Sequence, residues 1–126
     1  MTVQKENKEL SYKFFSDRRG EIFINKFKGT EFNVIFTNAG GYRAGDYHPT
    51  EQYNVVLKGK IKLTLRQKNK DISKQYGPNE LIIIPPNTPH LYKFIIDTVM
   101  IEWFAGRYMA RYYEPYRKII KKQLGK

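Results

Sequence analysis

The two histidines of this chain are the side chains best suited to chemistry, and each lies in a segment marked by glycine and proline. His48 belongs to the segment Gly45–Gln52, and His90 closes a segment that begins at Gly77 and passes through Pro85. Both segments adjoin strand-like runs, as expected when two strands that are distant in sequence direct their imidazoles into one barrel mouth. Imidazole has the unperturbed pKa closest to neutral pH, so such a pair is suited to proton transfer or metal binding.

Short runs of alternating apolar and polar residues, separated by turns at hairpin spacing, must position these histidines. The predicted strands are 11–15, 21–27, 31–37, 42–48, 52–57, 60–66, 72–76, 81–84, 90–95 and 98–104. No long helical pattern separates them, which favours an antiparallel all-β architecture that closes into a barrel. Because side chains alternate along a strand, Asp46 and His48 should share one face, as should Gln52, Asn54 and Val56 on the next strand.

The C-terminal residues 115–124 have a different pattern. Apolar residues recur at helical spacing, Pro115 suits the first turn of a helix, and lysines fill the last turn. We predict a short amphipathic helix that packs on the barrel or on a second subunit. Residues 1–9 are expected to be loose.

Length, composition and charge restrict the class of protein. A chain of 126 residues suggests one domain spanning 1–126, and the absence of cysteine excludes a disulfide framework and a thiolate metal site. A polar N-terminus and short apolar runs predict a cytoplasmic protein with no membrane partner. The net charge of +11 favours an anionic ligand. Much of the excess lysine lies at hairpin edges and in the tail, where it commonly protects strand edges, so a nucleic-acid partner is not expected.

The two histidine segments resemble the two motifs of the cupin superfamily. Counting back from Gly59, the glutamate of the first motif falls on Gln52, its second histidine on His48 and its first histidine on Asp46. The second motif is matched at Gly77, Pro85 and His90, with Asn87 where glycine is usual. The resemblance implies a single-domain jelly-roll barrel, here with a short C-terminal helix.

The resemblance also implies where a metal would bind. The ligand positions hold Asp46, His48, Gln52 and His90, and an amide replaces the usual anionic glutamate. Such a site should bind metal weakly, so no cofactor is the favoured expectation. The alternative is a divalent metal such as Fe, Mn or Zn, because two histidines and one carboxylate are similar to the facial arrangement of non-haem iron. Glu51 should point to the opposite face of a regular strand.

Within the superfamily the chain resembles the nucleotide-sugar branch, namely dTDP-4-dehydrorhamnose 3,5-epimerases and dTDP-4-keto-6-deoxyglucose 3,4-ketoisomerases. Three segments carry this resemblance: 17–20, 43–48, and 84–90 followed by the tyrosine-rich 108–117. It implies metal-independent proton transfer beside the carbonyl of a nucleotide-linked keto sugar. His48 would then be the general base and Asp46 its partner. The residues expected to bind the ligand are Arg19 and Arg43 at the phosphates, with Gln52, His90 and Tyr47.

Three functions stay open at this point, because Asp46 stands where the family has its other histidine. The first is an isomerase or epimerase acting on a nucleotide sugar. The second is a metal-dependent enzyme using Asp46, His48 and His90, and the third is a non-catalytic sugar-binding protein. A homodimer is expected in each case, because small cupins expose an edge strand and commonly pair.

Overall fold

The computed structural model describes residues 10–126, which form eleven strands and one helix. The strands are β1 (Leu10–Asp17), β2 (Gly20–Phe27), β3 (Thr30–Thr37), β4 (Tyr42–Tyr47), β5 (Gln52–Lys58), β6 (Ile61–Gln67), β7 (Lys70–Tyr76), β8 (Leu81–Ile84), β9 (His90–Phe94), β10 (Thr98–Phe104) and β11 (Arg111–Tyr112), and the helix is α1 (Glu114–Gln123). The ten predicted strands all occur, and none of their ends is shifted by more than two residues. Only β11 was not predicted.

Two antiparallel sheets face each other. One has the strand order β1-β2-β3-β10-β5-β8 and the other has the order β11-β4-β9-β6-β7. Consecutive strands pair as hairpins or cross between the sheets, which is the arrangement of a jelly roll. The all-β jelly-roll prediction is therefore confirmed.

The core lies between the sheets and follows from the alternation of side chains. In β5, Gln52, Asn54 and Val56 are buried, whereas Tyr53 and Val55 are only half-buried. The buried apolar side chains of this core are Ile35, Val56, Ile61, Leu63, Ile82, Ile84, Tyr92, Phe94 and Met100. Burying one such aliphatic or aromatic side chain stabilises the fold by about 1.5–3 kcal/mol, so this layer holds the two sheets together.

Helix α1 covers the outer face of β4 and β9. Ile120 and Tyr116 are buried against Leu91, which points away from the main core. Pro115 lies in the first turn and lysines in the last turn, in keeping with the helix dipole. The predicted C-terminal helix is confirmed, and it packs on the barrel.

Two predictions from the sequence are not tested by the fold. The prediction that residues 1–9 are loose falls outside the described residues, and the single-domain assignment stays a prediction. Within residues 10–126, no helix is long and apolar enough to cross a membrane.

Candidate functional site

A cavity of about 220 Å³ lies between the two sheets. Its polar lining comes from both sheets and from α1: Arg19, Arg43, Asp46, His48, Gln52, His90, Glu102 and Arg117. Aromatic residues near its mouth are Phe104, Tyr108 and Tyr112. Six of the seven predicted site residues therefore line one cavity, and Tyr47 does not.

An irregularity in β4 sets the direction of the first histidine segment. Ala44 and Gly45 both have positive φ, 79° and 71°, and the pairing of β4 with β9 shifts between Ala44 and Asp46. Such a bulge re-aims the side chains that follow it. Asp46 consequently lies directly opposite His90 in the strand pairing, and both side chains reach the cavity.

Asp46, His48 and His90 form a compact cluster whose candidate ligand atoms all lie within 4.8 Å of one another. The Nε2 atoms of His48 and His90 are 3.4 and 3.3 Å from Asp46 Oδ1. The two imidazole rings are 5.3 Å apart between centroids. The prediction that two histidines distant in sequence meet in one hollow agrees with this geometry.

Backbone carbonyls fix the tautomer of both histidines. His48 Nδ1 is 2.8 Å from the carbonyl oxygen of Met109, and His90 Nδ1 is 3.0 Å from that of Thr88. A carbonyl oxygen can only accept a hydrogen bond, so each Nδ1 carries the donated proton. In the neutral form of each ring, Nε2 therefore has a lone pair that faces Asp46 Oδ1. This carboxylate oxygen can also only accept a hydrogen bond.

The cluster is therefore short of hydrogen-bond donors. Within residues 10–126, Asp46 Oδ1 and His90 Nε2 are buried without a hydrogen-bond partner, and so is Gln52 Oε1. Buried acceptors without partners are unfavourable, and a shared proton or a bound cation would satisfy several of them at once.

The two histidines have opposite pKa shifts. Burial lowers the pKa of His48, but the Asp46 carboxylate, which would accept a hydrogen bond from the protonated ring and attracts its charge, outweighs burial, and the net pKa is raised. Burial dominates for His90 and lowers its pKa, although Asp46 opposes the shift. A proton entering the cluster is therefore placed on His48, which makes the pair of His48 and Asp46 the proton-carrying part of the site.

Glu102 is a site residue that the sequence analysis missed. Its carboxylate accepts hydrogen bonds from Asn33 Nδ2 at 3.1 Å and Gln52 Nε2 at 3.0 Å, and burial raises its pKa while Asn33 opposes the shift. A signal was present in the sequence, because Glu102 alternates with Met100 and Phe104 on the face of β10 that points inward. A glutamate on the apolar face of a strand is a candidate functional residue.

The arginines line the cavity but already have protein partners. Arg19 pairs with Asp17 through Nη2 at 2.6 Å and donates to the carbonyl of Tyr42 through Nη1. Arg43 donates through Nε to Thr37 Oγ1 at 2.7 Å, and burial together with the charge of Arg19 lowers its pKa to about 10. Arg43 therefore retains a positive charge at neutral pH. The role of both arginines at phosphates stays a prediction.

Arg117 is a third guanidinium at the cavity, and it was not predicted. It comes from α1, lies 4.3 Å from the Tyr112 ring centroid and donates to the carbonyl of Ala44. Tyr47 instead lines a separate groove with Pro49, Asn87, Met109, Ala110 and Arg111. Tyr47 therefore lies outside the cavity lining, because side chains alternate along the part of β4 that follows the bulge.

Comparison with known proteins establishes the family. Residues 34–104 match the Cupin domain family, which is more than half of the chain. This chain belongs to the cupin superfamily. No curated protein matches the sequence.

Solved cupin structures share the fold at low identity. CapF of Staphylococcus aureus, described as a capsular polysaccharide assembling protein, is 19% identical with a TM-score of 0.68, and the match covers 81% of this chain and 34% of that protein. Oxalate decarboxylase of Bacillus subtilis is 10% identical with a TM-score of 0.72, covering 98% and 38%. Oxalate decarboxylase of Lactobacillus farciminis is 16% identical with a TM-score of 0.71, covering 91% and 39%. The chain thus spans little more than a third of these proteins, and at such identity the likeness shows the fold alone.

Proposed function

We propose that this cupin binds a nucleotide-linked keto sugar and isomerises it by metal-independent proton transfer. The observation that carries the proposal is the pair of His48 and Asp46, with a raised His48 pKa, facing a cavity that also holds arginines.

The cavity volume favours a sugar ring inside and the nucleotide outside. At about 220 Å³ the cavity is below the roughly 300–1,000 Å³ of sites that enclose whole drug-sized ligands. Arg19 and Arg43 then meet the phosphates at one end, where charge-assisted bonds to guanidinium are strong. Arg43 Nη1 donates to no acceptor within residues 10–126 and is free for this contact.

The chemistry follows from the position of His48. Its Nε2 removes the proton from the carbon beside the ketone, the electron pair of that C–H bond forms the enediolate, and Asp46 stabilises the resulting imidazolium. His48 returns the proton to the former carbonyl carbon, and the proton of the neighbouring hydroxyl passes to the former carbonyl oxygen, so that the hydroxyl-bearing carbon becomes the new carbonyl. Tyr108, whose pKa is raised to about 12 by burial and the charge of Asp46, stays protonated next to His48.

The substitution His48→Asn tests this function. It should abolish exchange of the proton beside the carbonyl with deuterated solvent, followed by NMR, and leave dTDP affinity within about twofold in calorimetry. The matched control is Tyr47→Phe, outside the cavity, which should keep both properties. Binding without exchange in the wild-type protein would identify a non-catalytic sugar-binding cupin, and absence of any thermal shift with dTDP or UDP compounds would reject the nucleotide-sugar proposal.

A second candidate function is favoured by the acceptor-only cluster. Asp46, His48 and His90 could hold a divalent cation, Gln52 lines the same cavity, and the backbone bonds to both Nδ1 atoms are those expected of metal-binding histidines. A bound cation would polarise a carbonyl or a water molecule. The residues fit such an ion, with an amide in place of one carboxylate. Elemental analysis after addition of Fe(II), Mn(II) or Zn(II) tests it, and absence of stoichiometric metal would remove this candidate.

A further inference from the structure

The side chain of Gln52 has an orientation that its neighbours determine. Its Nε2 lies 2.8 Å from Asn54 Oδ1 and 3.0 Å from Glu102 Oε2. Both atoms accept, because Asn54 Oδ1 also receives the hydroxyl of Tyr92 at 2.8 Å and Glu102 is a carboxylate. Turning the amide over would place its oxygen against two oxygens. Oε1 is therefore held on the other side, where it is buried without a partner in the described part of the chain.

Glu102 is itself held in place by amides. Asn33 Nδ2 donates to its Oε1 at 3.1 Å, and Asn54 Nδ2 lies 3.5 Å from its Oε2. The cross-strand pairing explains the proximity, because Glu102 is opposite Asn54 and Phe104 is opposite Gln52. The carboxylate consequently cannot move away from Gln52 without breaking several hydrogen bonds.

We propose that Glu102 is a positioning residue of a cation site: it turns the Gln52 oxygen toward Asp46, His48 and His90 and, when ionised, adds a second negative charge to the site. This inference rests on the second candidate function, the cation-binding one. A hydrogen bond from an amide N–H to a carboxylate polarises the amide and makes its oxygen a better ligand. The carboxylate of Glu102 on the neighbouring strand thus partly replaces the negative charge that the neutral Gln52 does not supply.

The proposal is tested by exchanging the amide and the carboxylate. In Glu102→Gln the charge is lost and the Gln52 amide is free to turn over, so the affinity for Mn(II), measured from the EPR signal of the free ion, should fall by about 10- to 100-fold. The double variant Gln52→Glu with Glu102→Gln moves the carboxylate to the strand of Gln52 and keeps one charge and one amide. It should bind Mn(II) at least as tightly as the wild type. The control is Glu21→Gln, an exposed glutamate of β2, which removes the same charge and should leave the affinity unchanged.

Folding is followed by circular dichroism and thermal unfolding in all variants, since Glu102 could matter to the structure alone. A purely structural role would lower stability in Glu102→Gln without rescue of Mn(II) affinity in the exchanged variant, and that result overturns the proposal. Equal affinity in the wild type and Glu102→Gln also overturns it while the cation site stands. A wild-type protein that binds none of Mn(II), Zn(II) or Co(II) rejects both the cation site and the role of Glu102.

Discussion

At the scale of single residues, the site is defined by which groups can donate a hydrogen bond and which can only accept. The backbone carbonyls of Met109 and Thr88 accept hydrogen bonds from Nδ1 of the two histidines. In the neutral rings both Nε2 atoms therefore face Asp46 with lone pairs. Burial lowers the pKa of both imidazoles, but Asp46 outweighs it at His48, whose net pKa is raised, and does not at His90, whose net pKa is lowered. One acid and two chemically similar bases thus acquire distinct roles, which a sequence motif cannot specify.

The ion pair of Asp17 and Arg19 should be visible in the pH dependence of stability. The Arg19 guanidinium bonds to Asp17 and holds the pKa of that carboxyl below its usual value of 3.8. A carboxylate whose pKa is lower in the folded state stabilises the fold above its unfolded-state pKa and loses that contribution as pH falls through the folded value. Asp17→Asn should therefore destabilise the protein at neutral pH and flatten the decline of unfolding free energy below about pH 4.

The measurement is urea unfolding between pH 2.5 and 7. Arg19→Gln provides the second arm, because removal of the partner should flatten the same part of the curve. The prediction is wrong if the free energy of unfolding falls with decreasing pH as steeply in both variants as in the wild type. Since Asp17 is partly exposed, solvent screens the pair and the effect should be modest.

At the scale of elements, the bulge in β4 connects the site to α1. Gly45 has φ of 71°, and a Cβ there would meet Ile120 Cδ1 at 3.0 Å and the backbone of Arg117 at 3.3 Å. The glycine therefore allows both the bulge that directs Asp46 and the close packing of the helix.

Gly45→Ala should destabilise the protein more than an alanine substitution at another glycine that has a similar positive φ but no close neighbours. The matched control is Gly29→Ala, since Gly29 has φ of 80° and a Cβ added there would meet no atom within 4 Å. Each should lose about 1–2 kcal/mol from the left-handed conformation. Gly45→Ala should lose roughly 1–3 kcal/mol more from overpacking against the helix, measured by urea unfolding. Equal losses in the two variants would show that the helix yields to the added methyl group.

Elements were predicted from the sequence far better than their irregularities. Alternation located β2 to β10 because one face of each strand packs inward, and the position of Pro115 located α1. The bulge at Gly45 and the two-residue β11 leave no periodic pattern, so neither could be predicted. For the site, the motifs found Asp46, His48 and His90. Glu102 was missed because its partners Asn33, Gln52 and Asn54 come from strands whose order only the folded sheet defines.

At the scale of the whole molecule, the outer face of the β1–β3 region is unusually aromatic. The ring of Phe23 packs against three other rings, and we call these four residues the aromatic face: Tyr12, Phe14, Phe23 and Phe36. Phe14 is 50% exposed and Tyr12 is 56% exposed. β1 is also an edge strand, with one side of its backbone unpaired within the described chain. Exposed apolar patches and open edges are typical of interaction surfaces.

A second copy of the chain is the occupant we expect on the aromatic face, in line with the homodimer predicted from the sequence. An edge strand and its aromatic row can pair with themselves across a twofold axis, because antiparallel pairing is self-complementary. Phe14→Lys should convert a dimer to a monomer in sedimentation equilibrium, since burying an unpaired charge in the interface is costly. Ile83→Lys is the matched control: Ile83 is 51% exposed on β8, the opposite edge of the same sheet. Loss of the dimer in Ile83→Lys alone would place the interface at β8, and a monomeric wild-type protein would contradict the expectation altogether.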